Sequence, residues 1–315
     1  MRIEFSLQPI ATEHTFPPPC LLSMIAFLLF MTVAASPVTA EIFVDQVGRK
    51  VEIPAPPQRI VSLMPSITEI VFALGAGSRI KGVTLFSNEP PAAAQLPKIG
   101  SYVHPDLEKI ISLRPDLCLA VRDGNPKHIV DRLSELGIPV YTIDPRNLAE
   151  IMESVMLLGQ VLGSEEKARD IAGQIQSKIN AAAKRVANAA DRPRVFFQID
   201  ASPIISAGSN TFIDQLIAQA GGINLAAGPT PYPRYSWEDI LRMQPEVVII
   251  ASMAGGYTDE QLKAEWRKWP EVPAVRNNRL YVVNADLFDR PTARLADGLE
   301  LLVNIFYPGF NIEGL

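Results

Sequence analysis

The chain is poor in the residues that most site chemistry needs. Among its 315 residues are two cysteines and three histidines. Two cysteines exclude a disulfide framework, and Cys118, in an apolar run, reads as a small core residue. His14, His104 and His128 are far apart and have no cysteine partners, which argues against a closed zinc site. A basic excess is also missing. The formal net charge is −5, so the chain carries no electrostatic footprint for nucleic acid. No P-loop, G-x-S-x-G or H-E-x-x-H is present. The first strand-to-helix turn, "SLMPSITE", lacks G-x-G-x-x-G, so the dinucleotide reading fails where it should be strongest.

What is present is ordinary globular composition, 48% hydrophobic and 20% charged, in a length that allows one large or two mid-sized domains. The first forty residues read as a targeting segment. Leu21 to Ala35 is an apolar run of about 15 residues, short for a membrane span. Val38 and Ala40 in "SPVTAE" suit a small-residue cleavage site. Cleavage after Ala40 would leave an exported, soluble chain of about 275 residues. The stretch ahead of the run is long and carries little positive charge beyond Arg2. A start at Met24, or a retained anchor, therefore stays open. Cys20 precedes the run, whereas a lipidated cysteine would follow it.

The rest alternates. "EIFVDQVGRKVEIP" predicts a hairpin turning at Gly48. Strands are expected at Arg59–Met64, Ile80–Thr84, Asp116–Val121 and Pro139–Ile143. Helices between them follow Ser66, with Glu69 completing an S-x-x-E capping box, and cover Asp106–Leu113 and Pro126–Leu136. Asn147 with Glu150 opens a helical run to about Ala190, with a kink or restart at Gly163-Ser164. At 1.5 Å per residue, roughly 40 residues span about 60 Å, which suits a rigid connector. Alternation resumes with strands Arg194–Ile199, Glu246–Ala251 and Leu280–Asn284. Its helices are Phe212–Ala220, Trp237–Met243, Asp259–Trp266 and a closing one from Pro291 to about Ile305. Strand and helix taking turns predicts parallel sheets covered on both faces.

The two halves resemble each other. "DLEKIISLRPDLCLAV" from Asp106 matches "SWEDILRMQPEVVIIA" from Ser236. Each sets a glutamate, Glu108 or Glu238, seven residues before a proline that precedes an acid and a buried strand. Such a duplication implies two equivalent α/β lobes with a cleft between them. The expected organisation is a leader over 1–40, a first lobe over 41–146, a connecting helix over 147–190 and a second lobe over 191–315.

Aromatic and polar residues gather at strand ends: Phe86 in "TLFSNEPP", Tyr102 and His104 in "GSYVHPD", Tyr232 and Tyr235 in "TPYPRYSWED", and Asp286, Phe288, Asp289 and Arg290 in "NADLFDRP". Open α/β sheets bind ligands at the carboxyl ends of their strands. Any one of these aromatics could instead plug a local gap. The recurrence in corresponding loops of both halves favours a cleft. Glu108 and Glu238 sit on the first turns of helices, where the dipole alone favours a carboxylate. The alternative is a two-point docking surface.

These stretches, with "VDQVGRKVEIPAPPQRIVSLMPSITEIVFALGAG" and "GSYVHPDLEKIISLRPDLCLAVRDGN", resemble the substrate-binding proteins of ABC importers for cobalamin, siderophores and haem. The resemblance covers nearly all of the chain after the leader and is nearest to the cobalamin branch. It implies two Rossmann-like lobes with mostly parallel sheets, joined by a long rigid helix (the class III periplasmic-binding-protein fold). It further implies a monomer without enzymatic activity or cofactor, working in the periplasm with a permease dimer in the inner membrane. By the same resemblance Phe86, Tyr102, Tyr232, Asp286 and Arg290 contact the ligand, with Phe288 beside them. Glu108 and Glu238 pair with arginines of the permease. Two departures stand out. Val121 occupies the place of a cleft tryptophan, and Tyr102 and Tyr232 replace larger aromatics. Haem or a ferric siderophore is the alternative ligand, since Tyr102 and His104 would suit haem iron. An enzyme on a doubly wound fold is the third reading, and its fingerprints are missing.

Overall fold

The computed structural model describes Met1 and residues 40–187, 189, 191–251 and 257–309. The leader with its start at Met24, Cys20 and His14 fall outside the described residues. Ala40 itself opens the first strand.

β1 (Ala40–Val44) and β2 (Lys50–Pro54) form the expected antiparallel hairpin. Gly48 takes φ +85° in its turn, a conformation that costs glycine nothing. The first sheet comprises β3 (Ile60–Ser62), β4 (Ile80–Gly82), β5 (Leu117–Val121) and β6 (Val140–Ile143). Its order is β4-β3-β5-β6, with every pairing parallel. Both faces are buried, and the side chains alternate between two cores. Leu117, Leu119 and Val121 join the core beneath helix Pro65–Ala73, while Cys118 and Ala120 join Ile110 and Leu133 on the opposite face. Cys118 is a buried free thiol, held above its ordinary pKa chiefly by that burial.

The second sheet is mixed. β7 (Arg194–Ala201), β8 (Ile204–Ser206), β10 (Arg234–Tyr235), β11 (Val247–Ile250) and β12 (Leu280–Val282) run in the order β10-β8-β7-β11-β12, and β9 (Ile223–Asn224) pairs with the start of β7. β7, β11 and β12 are mutually parallel, whereas β8 and β10 are antiparallel additions. Those additions, like β9, are two or three residues long, too short to carry a readable alternation. Here too one strand feeds two cores: Val195, Phe197 and Ile199 face one side, and Phe196 the other.

The duplication read from sequence has a local physical basis. Helices Leu107–Ser112 and Trp237–Met243 are capped by Asp106 and Ser236, whose side chains accept from Lys109 N and Asp239 N. Each helix is followed by a left-handed residue, Arg114 at φ 49° or Gln244 at φ 47°. The acid after each proline then accepts from the backbone N–H opening a neighbouring strand. Asp116 takes Arg59 N at 2.8 Å, and Glu246 takes Arg194 N at 2.9 Å. Arg59 and Arg194 in turn donate to carbonyls closing the helix, Leu113 O and Met243 O. The same joint is built twice from different residues.

The helical run expected over 147–190 is two helices, Leu148–Leu162 and Glu165–Val186. Gly163 breaks it in the left-handed conformation at φ 63°, and Ser164 N donates back to Gly159 O. A Cβ on Gly159 would lie 2.4 Å from that of Ala168, so the two helices touch through this glycine. The second helix reaches from the first core (Ile171, Ile175) to the second (Ala182). Its 22 residues span about 33 Å. The connector is therefore about half the expected length, because the preceding helix folds back. Among the described residues, no helix is long and apolar enough to cross a membrane.

Candidate functional site

A cleft of about 620 Å³ opens where the loops after the parallel strands of both sheets meet. One side is formed by Met64, Pro65, Phe86 and Tyr102, the other by Asp200, Asn284, Asp286, Asp289 and Arg290. It lies at the carboxyl ends of β3, β4, β7 and β12, as the open-sheet rule requires.

The aromatic wall is fixed from beneath. Phe86 and Tyr102 meet edge to face, with centroids 5.9 Å apart and planes at 62°. Phe86 is 53% exposed although it is a large apolar ring. Tyr102 is held by buried Asn125, which no reading of single motifs picked out. Asn125 Nδ2 donates to Leu63 O and Tyr102 O, and its Oδ1 accepts from Val121 N. One amide thus ties the loops after β3 and β5 to the Tyr102 loop. Gly100 makes the bend before Tyr102 at φ +93°, where a Cβ would sit 2.5 Å from His104 O. His104 is exposed on that loop and does not line the cleft.

The polar side starts from Asn284, whose side chain accepts from Asp286 N and caps the short helix Ala285–Phe288. Asp286 and Arg290 follow, and they do not point free into the cleft. Arg290 donates to Glu69 Oε1 at 2.7 Å and to Phe86 O at 3.1 Å, and lies 2.7 Å from Asp286 Oδ1. Asp286 Oδ2 accepts from Asn88 Nδ2 at 3.1 Å. The expected grip is thus first of all a clamp between the two halves. Glu69 is the partner that the sequence reading assigned elsewhere. No S-x-x-E box exists at this helix: Met64 is the N-cap, Ser66 Oγ is buried without a partner, and Glu69 faces the second half. A clue was available, since an acid inside "PSITEIVF", on a helix apolar almost all round, needs a cation somewhere.

Phe288 was expected beside the ligand and is instead fully buried, 5.4 Å from Phe197 in the second core. Phe288 turns inward, while Asp286, Asp289 and Arg290 line the cleft. Val121 is buried in the first core and offers no aromatic face.

Asp289 lines the cleft, and its Oδ2 is buried without a hydrogen-bond partner. Burial, and then the neighbouring Asp286 carboxylate, push its carboxyl up to about 8 against the pull of Arg290. Tyr232 is 55% exposed, on the loop before β10. Burial of its phenol, and then the Asp289 and Asp123 carboxylates, hold its pKa above the ordinary range. Tyr232 does not line the cleft, although Asp289, whose carboxylate acts on its phenol, does. Gly208 seats that loop, with its N–H donating to Pro231 O at 2.8 Å and no room for a Cβ beside Thr230 O.

The periplasmic binding protein family matches residues 60–287. The chain belongs to this family. Within it, the vitamin B12-binding proteins of Vibrio parahaemolyticus and Vibrio cholerae are both 32% identical to this chain. Those alignments cover 78% of this chain and 87% or 88% of theirs. The solved periplasmic vitamin B12 binding protein BtuF of Vibrio cholerae is similar at a TM-score of 0.71 and 30% identity, over 80% of this chain and 98% of that one. A periplasmic heme binding protein from Pseudomonas aeruginosa is similar at a TM-score of 0.74 and 29% identity, over 80% and 94%. A periplasmic binding protein is not an enzyme, and the doubly wound enzyme reading ends here.

In this family member Glu108 and Glu238 lie outside the cleft. Both are exposed, each on the first turn of a capped helix, one in each half. Glu238 has only a 4.0 Å approach from Arg242, itself exposed. Trp237, next to Glu238, is anchored against Trp266 and Trp269, so the helix carrying the glutamate is firmly seated.

Proposed function

We propose that this protein is the periplasmic receptor of an ABC importer, capturing cobalamin or a related corrinoid in the cleft and delivering it to an inner-membrane permease dimer. The cleft carries the reading. It pairs an exposed aromatic edge, Phe86 on Tyr102, with a facing row of carboxyl and amide groups, Asp286, Asp289 and Asn284. A broad ligand with an apolar face and amide-bearing edges matches both surfaces. Similarity to vitamin B12-binding proteins across most of the chain supports the same ligand.

Phe86, Tyr102 and Tyr232 supply apolar contact, and Asp286 supplies an acceptor at the rim. Glu108 and Glu238 are the docking points for the permease, one on each half. The segment through Ala40 serves as an export leader, and the mature protein acts as a monomer. Capture, with a lobe arrangement that reports occupancy, and release are the whole task.

A second reading, haem or a ferric siderophore in the same cleft, is favoured by the Pseudomonas aeruginosa relative's similarity and by Tyr102 at the cleft wall. A thermal-shift screen of the purified protein separates them. Cobalamin at a thousand times its dissociation constant stabilises by about 4 kcal/mol. A shift with haem or a ferric siderophore, and none with cobalamin, replaces the first reading with the second.

A further inference from the structure

The loop that carries Phe86 is held from two sides. Its own half fixes Ser87. The Ser87 hydroxyl meets Thr84 Oγ1 at 3.0 Å and Thr68 Oγ1 at 3.1 Å, and Lys98 Nζ donates to Ser87 O at 3.0 Å. The three hydroxyl residues are buried, so this anchor belongs to the core of the first half. The second half holds the residues on either side. Arg290 donates to Phe86 O at 3.1 Å, and Asp286 Oδ2 accepts from Asn88 Nδ2 at 3.1 Å. The Phe86 ring is largely exposed, so its place is set by this backbone as well as by Tyr102.

The guanidinium that holds Phe86 O is itself aimed by Glu69. Arg290 donates from Nη1 to Glu69 Oε1 and from Nη2 to Phe86 O, and Nη2 also lies against Asp286 Oδ1. A guanidinium is a planar fork, so fixing Nη1 fixes where Nη2 points. Glu69 is buried and does not line the cleft. It follows Thr68 directly on the helix Pro65–Ala73. The path therefore leaves the first half at Glu69, crosses to Arg290 and returns to the first half at Phe86.

We propose that Glu69 is a positioning residue for ligand binding: it orients Arg290 so that this second-half side chain holds the Phe86 wall of the first half in place. The wall is then firm only while the halves keep this arrangement. Parting them frees Phe86 O and Asn88 but leaves the Ser87 anchor, so the wall slackens without unfolding. That suits release at a permease. The inference rests on the cleft reading above and needs no contact between Glu69 and the ligand.

The test is a double-mutant cycle read as ligand affinity. Calorimetric titration with cyanocobalamin, well below each melting temperature, compares the wild type with Glu69→Ala, Phe86→Ala and the two combined. Glu69→Ala binds about tenfold more weakly, although residue 69 lies outside the cleft. Combined with Phe86→Ala it costs no further affinity, because the ring it positions is gone. Glu69→Gln keeps an acceptor for Nη1 and loses the charge. It binds about threefold more weakly, a loss that likewise vanishes with Phe86→Ala, and it carries the cycle if Glu69→Ala does not fold. A residue serving stability alone would leave the affinity of the folded protein unchanged, or lower it equally with and without the ring. Either result overturns the assignment. The backbone ¹⁵N resonance of Ser87, whose amide shares a peptide group with Phe86 O, gives a reading without ligand. It shifts in both Glu69 variants, and an unchanged resonance overturns the assignment too. Absence of cyanocobalamin binding by the wild type ends the corrinoid reading instead, and the Ser87 resonance then decides the positioning role.

Discussion

Glu69 and Arg290, 221 residues apart in sequence, meet at 2.7 Å with side chains only 6% and 11% exposed. This contact joins the helix after β3 to the loop after β12, so it ties the two halves together beneath the cleft floor. Arg294 lies 3.5 Å from the other oxygen of Glu69. Removing Glu69 takes one charged partner from buried Arg290 and leaves it with Asp286. Glu69→Ala is expected to cost about 1.5–3 kcal/mol in denaturant unfolding. Replacing Glu69 and Arg290 together by apolar residues costs less than either single change. A loss under about 1 kcal/mol in Glu69→Ala would show that Asp286 alone is enough to satisfy Arg290.

Asn125 ties Tyr102 to two other loops through three hydrogen bonds. Asn125→Ala leaves Val121 N, Leu63 O and Tyr102 O short of partners and should destabilise by about 2–3 kcal/mol. Ligand affinity should fall as well, because the aromatic wall loosens. Tyr102→Ala leaves that amide's bonds in place and should lower affinity roughly tenfold with little loss of stability. Calorimetry and thermal unfolding on both variants separate the effects. Equal affinity in all three proteins would remove Tyr102 from the site.

Asp289 should also mark the pH dependence of stability. Its carboxyl titrates near 8 when folded and near 3.9 when unfolded, so folding takes up a proton between those values. Its contribution therefore becomes less favourable as pH rises from about 4 to about 8. Asp289→Asn escapes this. The melting-temperature difference, variant minus wild type, should grow across that window and level off above it. A difference that is constant or shrinks with pH would contradict an acid held neutral.

Glu108 and Glu238 are exposed and make no contact with the cleft. The double variant Glu108→Ala/Glu238→Ala is expected to keep full ligand affinity and lose transport in a reconstituted importer. Transport at the wild-type rate would end the docking proposal.

The two-sheet, helix-linked fold was legible because its central strands are apolar runs, as in Leu117–Val121 and Val247–Ile250, and its helices carry caps such as Asp106, Asn147 and Ser236. The doubled joint was legible too, as Pro115-Asp116 and Pro245-Glu246. β8 and β10 were hidden because they are antiparallel pieces outside the strand–helix alternation, and β9 because it is two residues long. The site was legible in outline only. Phe86, Tyr102 and Asp286 line the cleft, but Phe288 turned into the core because a four-residue helix sets its phase, and no pattern that short announces it. Glu69 was misread because S-x-x-E is a surface capping signal, and its true partner lies in the other half. A pairing across more than two hundred residues leaves no local trace. Asp289 acquires its character from burial and from Asp286, neither of which a single sequence displays.

Calorimetric titration of the purified protein with cyanocobalamin, run beside haemin, decides whether the cleft captures corrinoids. Saturable one-to-one binding of cyanocobalamin, weakened in Tyr102→Ala, is expected. Flat heats with cyanocobalamin, with saturable binding of haemin, would end the corrinoid reading.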